Sequence, residues 1–137
     1  INRFYVSMPN KVVSINPKNI NCEFSDVQLN LKKSYVATPS LKNVQIGKKV
    51  KLAVKPTNIS IAKNLFGEIS LSNQLVVNIK SIENGQLLSS IILEVNDTIF
   101  ESIITADSSK RMNLQKNEQV TILIKASDLS IMEVLND

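Results

Sequence analysis

The side chains best suited to chemistry in this sequence are hydroxyls and lysines that stand beside turns. The segment Ser70-Leu-Ser-Asn73 precedes an alternating apolar stretch, Thr105 ends another, and Lys125-Ala-Ser127 ends a third. Lysine ammonium groups, hydroxyls and turn N–H groups donate hydrogen bonds to compact anions, and those from charged donors are short and strong. The pattern is compatible with an oxyanion site, although by itself it does not favour one over a structural role. The alternative is that the serines cap a loop and the lysine is a solvated surface residue.

Catalytic and metal-dependent classes lack their usual residues. The 137-residue chain contains no His, one Cys and three Gly, so we expect neither a zinc site nor a nucleophilic triad. Nucleotide-binding glycine motifs and the H-E-x-x-H motif are absent from the sequence. We therefore expect a protein that is not catalytic by itself. Cys22 is expected to be a small buried residue in a strand.

The charge suits an anionic partner, but the aromatic residues argue against nucleic acid. Sixteen basic and twelve acidic residues give a net charge of +4, and the basic residues are spread along the chain. Small barrels that bind single strands use stacking aromatic side chains, whereas this sequence has no Trp and does not interleave basic with aromatic residues.

The chain begins at Ile1 without a Met, and we expect it to be a fragment of a longer protein.

The elements that must position these residues occur twice. Val50–Ile61 returns seventy residues later as Val120–Ile131, with four of twelve positions identical. Lys11–Ile15 corresponds in the same way to Asn78–Ile82. A repeat of this length is longer than a solenoid unit and long enough for a small domain.

Strand-forming residues dominate both copies. In the second copy we predict a type I′ hairpin turn at Glu83-Asn84-Gly85 and a helical turn capped by Asp107 or Ser108. The predicted strands of that copy are 74–82, 87–95, 98–105, 120–125 and 129–132. Five short strands per copy predict an all-β fold of two tandem, five-stranded OB-like barrels with a short helical turn.

We assign residues 1–64 to the first domain and residues 65–137 to the second. The stretch from Lys63 to Leu71 joins them. Because it contains Leu65, Phe66 and Ile69, we expect it to pack and to hold the two copies as one rigid body.

The second copy resembles a Mop domain, a small molybdate-binding, TOBE-like domain. Ser70-Leu-Ser-Asn-Gln-Leu75 is similar to the opening S-x-R-N-Q-L of that family. Val120-Thr-Ile-Leu-Ile-Lys-Ala-Ser127 is similar to its closing V-x-A-x-I-K-A-S. The first copy resembles the family mainly at its end, from Gly47 to Ile61. Two tandem copies resemble the C-terminal regulatory region of molybdate ABC-transporter ATP-binding subunits.

The resemblance implies that molybdate or tungstate binds as an oxyanion between Mop units, often across an oligomer interface. The residues that it places at such a site are Lys55, Ser70, Ser72, Asn73, Thr105, Lys125, Ala126 and Ser127. It also implies a homodimer, a cytoplasmic location at the inner membrane, and contact with a permease subunit through the parent ATPase. The second copy departs from the family pattern in two places, since Ser72 replaces an Arg and Val77 replaces a Gly. The first copy lacks the S-x-R-N opening and has Arg3-Phe-Tyr-Val-Ser7 there.

Two other roles are compatible with the same resemblance. One is a free-standing molybdate-storage protein, and the other is the effector domain of a molybdate-responsive transcription regulator. The reading frame upstream of Ile1 separates the storage protein from the transporter, because a transporter subunit carries a Walker-motif domain there.

Overall fold

The computed structural model describes residues 6–16, 18–24, 27–32, 44–71, 73–96 and 98–135. Within these residues the chain forms ten strands, one short helix and two 3-10 turns. The strands are β1 (Val6–Ile15), β2 (Asn19–Phe24), β3 (Val27–Lys32), β4 (Lys49–Val54), β5 (Ser60–Ala62), β6 (Asn73–Asn84), β7 (Leu88–Val95), β8 (Thr98–Thr105), β9 (Gln119–Ile124) and β10 (Ser130–Leu135). The helix α1 spans Ala106–Arg111, and the 3-10 turns span Pro56–Asn58 and Ala126–Asp128.

The strands form two five-stranded antiparallel sheets with the same arrangement. Their orders are β10-β4-β1-β2-β3 and β5-β9-β6-β7-β8. The central strand of each sheet shifts register once, after Val12 in β1 and after Ile79 in β6. Such bulges increase the local twist and let a sheet curl. The curled sheets resemble small OB-like barrels, so the predicted all-β fold class is confirmed.

The two sheets exchange their last strands. Ser60 of β5, at the end of the first copy, pairs with Leu123 of β9. Ser130 of β10, at the end of the chain, pairs with Ala53 of β4. The domain boundary between residues 64 and 65 stays a prediction, but hydrogen-bonded sheets cross it in both directions. Neither sheet is complete without a strand from the other half of the chain.

The core follows from the two-residue period of the strands. In β6, Asn73, Leu75, Val77 and Ile79 are buried while the residues between them are exposed. Apolar side chains from both sheets belong to one buried cluster. Val77, which stands where the Mop pattern has Gly, is accommodated inside this core.

Cys22 is fully buried in β2, as predicted. Burial disfavours the thiolate and raises the pKa of this thiol to about 12. Cys22 is therefore an inert core residue.

The strand predictions for the second copy hold to within three residues at each end, and β8 matches its predicted range, but two local predictions were wrong. A type I′ turn needs positive φ at both central residues, and neither Asn84 nor Gly85 has it. Instead β6 continues to Asn84, and the Gly85 N–H donates to the Leu88 carbonyl at 2.8 Å. A Cβ at Gly85 would lie 2.6 Å from that carbonyl oxygen, so only glycine fits. The N-cap of α1 is Thr105, two residues before Asp107 and three before Ser108, the predicted caps.

The expectation that the linking stretch packs its apolar side chains was also wrong. Phe66 is 97% exposed, and Leu65 and Ile69 are more than one-third exposed. What ties this stretch to the second copy is instead the polar contact of Lys63, described below. No helix in the described part of the chain is long and apolar enough to cross a membrane.

Candidate functional site

The repeated lysines sit at two corners that have the same backbone shape. We call residues 55–58 the Lys55 corner and residues 125–128 the Lys125 corner. Each lysine is exposed and precedes a 3-10 turn, with φ and ψ of −71° and 136° at Lys55 and −68° and 141° at Lys125. The turns close with hydrogen bonds of 2.9 Å from the N–H of Asn58 and Asp128 to the carbonyls of Lys55 and Lys125. The sequence repeat is therefore reproduced in local geometry.

Each corner packs on the third strand of the opposite copy. The Lys55 corner lies on β8 and the Lys125 corner lies on β3. Pro56 and Ala126, the first residues of the two turns, are the buried anchors. Below the Lys55 corner, the buried hydroxyl of Ser102 donates to the carbonyl of Ile59 at 2.5 Å. The strand exchange thus fixes both corners against the other half of the chain.

The corners differ in what they offer an anion. The first N–H groups of a helical turn have no acceptor within the turn. In the Lys125 corner these are the N–H groups of Ala126 and Ser127, whereas Pro56 has no N–H and leaves only Thr57 in the Lys55 corner. The Lys125 corner also carries a carboxylate, Asp128, where the Lys55 corner has a neutral amide. The second corner therefore has one more donor and one more negative charge.

Asn73 was predicted to bind the anion, but the structure commits its side chain to another contact. Its Oδ1 accepts from the Asn30 N–H at 2.7 Å, and its Nδ2 donates to the Asn30 carbonyl at 3.0 Å. Asn73 is only 2% exposed. The amide thus pairs with β3 as a neighbouring strand would, and it joins the start of β6 to the edge of the first sheet. We call this contact the Asn73 clamp.

Thr105 is the N-cap of α1. Its hydroxyl accepts from the Ser108 N–H at 3.1 Å and lies 2.8 Å from the Ser108 hydroxyl. Such a cap satisfies one of the free N–H groups at the start of the helix. Thr105 remains exposed to solvent.

Within one chain, the predicted residues fall into two groups. Asn73 lies opposite Ile124 in the β6–β9 register, so the segment that starts at Ser70 meets the Lys125 corner at one end of the sheet. Thr105 lies opposite Leu88, beyond the other end of β6, and the strand that it ends supports the Lys55 corner. The first group is Ser70, Asn73, Lys125, Ala126 and Ser127, and the second is Lys55 and Thr105. Ser72 lies outside the described residues.

A groove beside α1 was not predicted. It has a volume of about 470 Å³ and separates β5 from the end of β8 and from α1. The residues that line it are Ser60, Ile61, Ala62, Lys63, Ile104, Ser108, Arg111 and Met112. The Arg111 guanidinium donates to the Ser108 hydroxyl at 3.1 Å, so a cation stands at the rim of apolar walls.

Lys63 fixes one end of this groove. Its ammonium donates to the Met112 carbonyl at 2.8 Å and pairs with the Glu118 carboxylate at 2.8 Å. The Lys63 hydrogen bond and the backbone N–H of Gln115 lower the pKa of Glu118, so this carboxyl stays ionised at neutral pH. Because the two partners are 55 positions apart, the sequence carries no local signal for this pair. The described residues contain no cluster of His, Cys, Asp and Glu arranged to hold a metal ion.

Comparison with known proteins supports the resemblance of the second copy to a TOBE-like domain. Residues 69–131 match the family model of the TOBE domain. This range begins just before β6 and ends in β10, so it contains the Lys125 corner. No protein among curated sequences matches the chain.

Two solved structures are similar to this chain. A structure of the cytoplasmic molybdate-binding protein ModG with molybdate bound superposes with a TM-score of 0.78, at 20% identity, over 90% of this chain and 92% of that one. A molybdate-binding protein from Sporomusa ovata is 33% identical over 51% of this chain and all of its own, with a TM-score of 0.45. The likeness to ModG extends the fold assignment to nearly the whole chain.

Proposed function

We propose that this chain binds a tetrahedral dianion, molybdate or tungstate, at the Lys125 corner. The observation that carries the proposal is the position of this corner. It brings a lysine, a hydroxyl and two turn N–H groups next to the Ser70 segment, inside the part of the chain that matches the TOBE domain. The ModG structure of the same fold holds molybdate. A small dianion gains most from charge-assisted donors of this kind.

The proposed ligands of one site are Ser70, Ser72, Lys125, Ala126 and Ser127. Asn73 acts by holding the Ser70 segment in place, because its amide is engaged by Asn30. Thr105 and Lys55 lie away from this group in one chain. We propose that they complete a site when two units meet across an oligomer interface, most simply in a homodimer.

The broader role that we propose is regulation of a molybdate importer. The chain would be the C-terminal regulatory part of an ATP-binding subunit, held at the cytoplasmic face of the inner membrane through the permease. Anion binding would favour the resting arrangement of the transporter, because a ligand shifts an equilibrium towards the state that it binds more tightly. A free-standing storage protein and the effector domain of a transcription regulator are the alternatives. A Walker-motif domain encoded upstream of Ile1 would support the importer, and a start codon just before Ile1 would support storage.

Isothermal titration tests the binding step. We expect heat of binding with molybdate and with tungstate, and none with sulfate at the same concentration. A chain that stays silent with molybdate up to high micromolar concentrations does not have the proposed function.

Ser72 offers a sharper test of the site. The Mop pattern has Arg at this position, and one lost charge-assisted hydrogen bond weakens binding about ten- to hundredfold. We therefore expect Ser72→Arg to tighten molybdate binding by that factor. The matched control is Ser81→Arg, an exposed serine in the same copy but outside the proposed site, which should leave the affinity unchanged.

A further inference from the structure

The loop between the two copies presents an apolar side chain that no described residue of its own chain covers. We call residues 64–71 the linking loop. It is held at one end by Lys63, which contacts Met112 and Glu118, and just after its other end by the Asn73 clamp. Between these fixed points Phe66 is 97% exposed. A phenylalanine in this state exposes a large apolar surface whose burial would be favourable.

The loop geometry keeps Phe66 out of the nearby groove of its own chain. That groove includes Lys63, only three residues away. Asn64 has a φ of 54° and Gly67 a φ of 91°, so the backbone takes left-handed conformations on both sides of Phe66. The exposure of Phe66 shows that its ring makes almost no contact with the described part of its own chain.

The groove has the size and chemistry to receive a phenylalanine from elsewhere. Its volume of about 470 Å³ exceeds the space of one aromatic side chain. Ile61, Ile104 and Met112 supply apolar walls, and methionine adapts well to aromatic rings. At the rim, the side chain of Arg111 is 68% exposed, and beside its hydrogen bond to Ser108 it makes a loose 4.0 Å pair with Asp107. An occupant with a carboxylate near its aromatic ring would suit this rim.

We propose that the occupant is a second copy of this chain, with Phe66 of each copy inserted in the groove of the other. The linking loop carries both features that the groove requires, because Glu68 follows Phe66 by two residues and is exposed. Knob and groove are adjacent on one chain, as a two-fold interface with reciprocal contacts requires. Glu68 then pairs with Arg111 of the other copy, and the groove is filled only in the dimer.

Sedimentation velocity in buffer without oxyanion tests this interface over a range of protein concentrations. We expect the wild-type chain to pass from monomer to dimer, and Phe66→Ala to raise the dimer dissociation constant about 30-fold or more, as for a central anchor residue. The control is Leu87→Ala, since Leu87 is 82% exposed but lies outside both the loop and the groove. It should not change the dissociation constant. Because Phe66 is not packed in the monomer, thermal melts of the two variants should agree with wild type at protein concentrations where wild type is monomeric.

Exchanging the charges of Glu68 and Arg111 tests whether these two side chains meet across the interface. Glu68→Arg and Arg111→Glu should each weaken the dimer, and the double variant should recover most of the loss, because opposite charges face each other again. A wild-type chain that remains monomeric overturns the proposal. It is also overturned if Phe66→Ala behaves like Leu87→Ala, or if the double variant is as weak as the two losses combined. These outcomes do not depend on molybdate, so they leave the titration test of the anion site separate.

Discussion

The Lys55 and Lys125 corners have the same backbone and different chemistry. Both place an exposed lysine before a 3-10 turn, and both bury the next residue against the opposite copy. The Lys125 corner adds the N–H of Ala126, which Pro56 lacks, and stands beside the Ser70 segment. The comparison teaches that a duplicated fold can keep the same backbone at two corners while one of them presents more hydrogen-bond donors to an anion.

The supports beneath the corners differ as well. Next to the Lys125 corner, the Asn73 clamp makes two hydrogen bonds to the backbone of Asn30. Below the Lys55 corner, Ser102 makes one hydrogen bond to the carbonyl of Ile59. Among the described residues, the support next to the Lys125 corner therefore makes one hydrogen bond more than the support below the Lys55 corner.

Removing the supports should show the largest difference. We expect Asn73→Ala to lower the free energy of unfolding by about 2–3 kcal/mol, because two backbone groups of a partly buried strand lose their partner. Ser102→Ala should lower it by about 1 kcal/mol, the value of one hydrogen bond. Urea denaturation measures both. Equal losses in the free energy of unfolding would show that the supports of the two corners contribute equally to stability.

Removing the lysines tests which corner binds. Lys125→Met should weaken molybdate binding about ten- to hundredfold, because a charge-assisted donor is lost. Lys55→Met should weaken it by less than about fivefold, the scale of an exposed charge. Lys116→Met, in an exposed turn outside both corners, is the control for titration calorimetry. A reversed order would move the site to the Lys55 corner.

Exchanging Ala126 and Pro56, the residues that follow the two lysines, measures the contribution of one N–H group to anion binding. Ala126→Pro should fit the fold, because Lys125 has nearly the same φ and ψ as Lys55, which precedes a proline. It removes one donor, and we expect affinity to fall about three- to tenfold. Pro56→Ala adds the matching donor to the other corner and should not weaken binding. An unchanged affinity in Ala126→Pro would exclude this N–H as a ligand.

The smallest expected effect comes from the acidic residue. Asp128→Asn gives the Lys125 corner the amide that Asn58 provides in the Lys55 corner. Removing this repulsion should tighten molybdate binding about two- to fivefold at low salt. The gain should shrink as ionic strength rises, since salt screens exposed charges. Titrations at two salt concentrations check both parts, and a gain that is insensitive to salt would point to another cause.

Features set by local sequence were predictable. The alternation of β6 follows from Leu75, Val77 and Ile79, and the same period places Asn73 on the inward face. That signal was available and would have removed Asn73 from the anion ligands. The ends of β8 and the shape of both corners also follow from nearby residues, because turns and strand periodicity act over a few positions.

Features set by long-range geometry were not predictable. The repeat shows that β5 and β10 are equivalent, but each can pair with either β4 or β9, and only the packed structure selects the exchange. The Asn73 clamp joins residues 43 positions apart, and Lys63 meets Glu118 across 55. Exposure of Phe66 likewise depends on the fixed ends of its loop, whereas an apolar residue alone predicts burial.

The most direct measurement is a titration of the chain with molybdate followed by amide chemical shifts. We predict that the N–H signals of Ala126 and Ser127 move together and saturate at the affinity given by calorimetry, while that of Thr57 moves less. Saturable binding that leaves the amides of residues 126–128 unchanged, or that moves only Thr57 and Asn58, would contradict the assignment of the anion to the Lys125 corner.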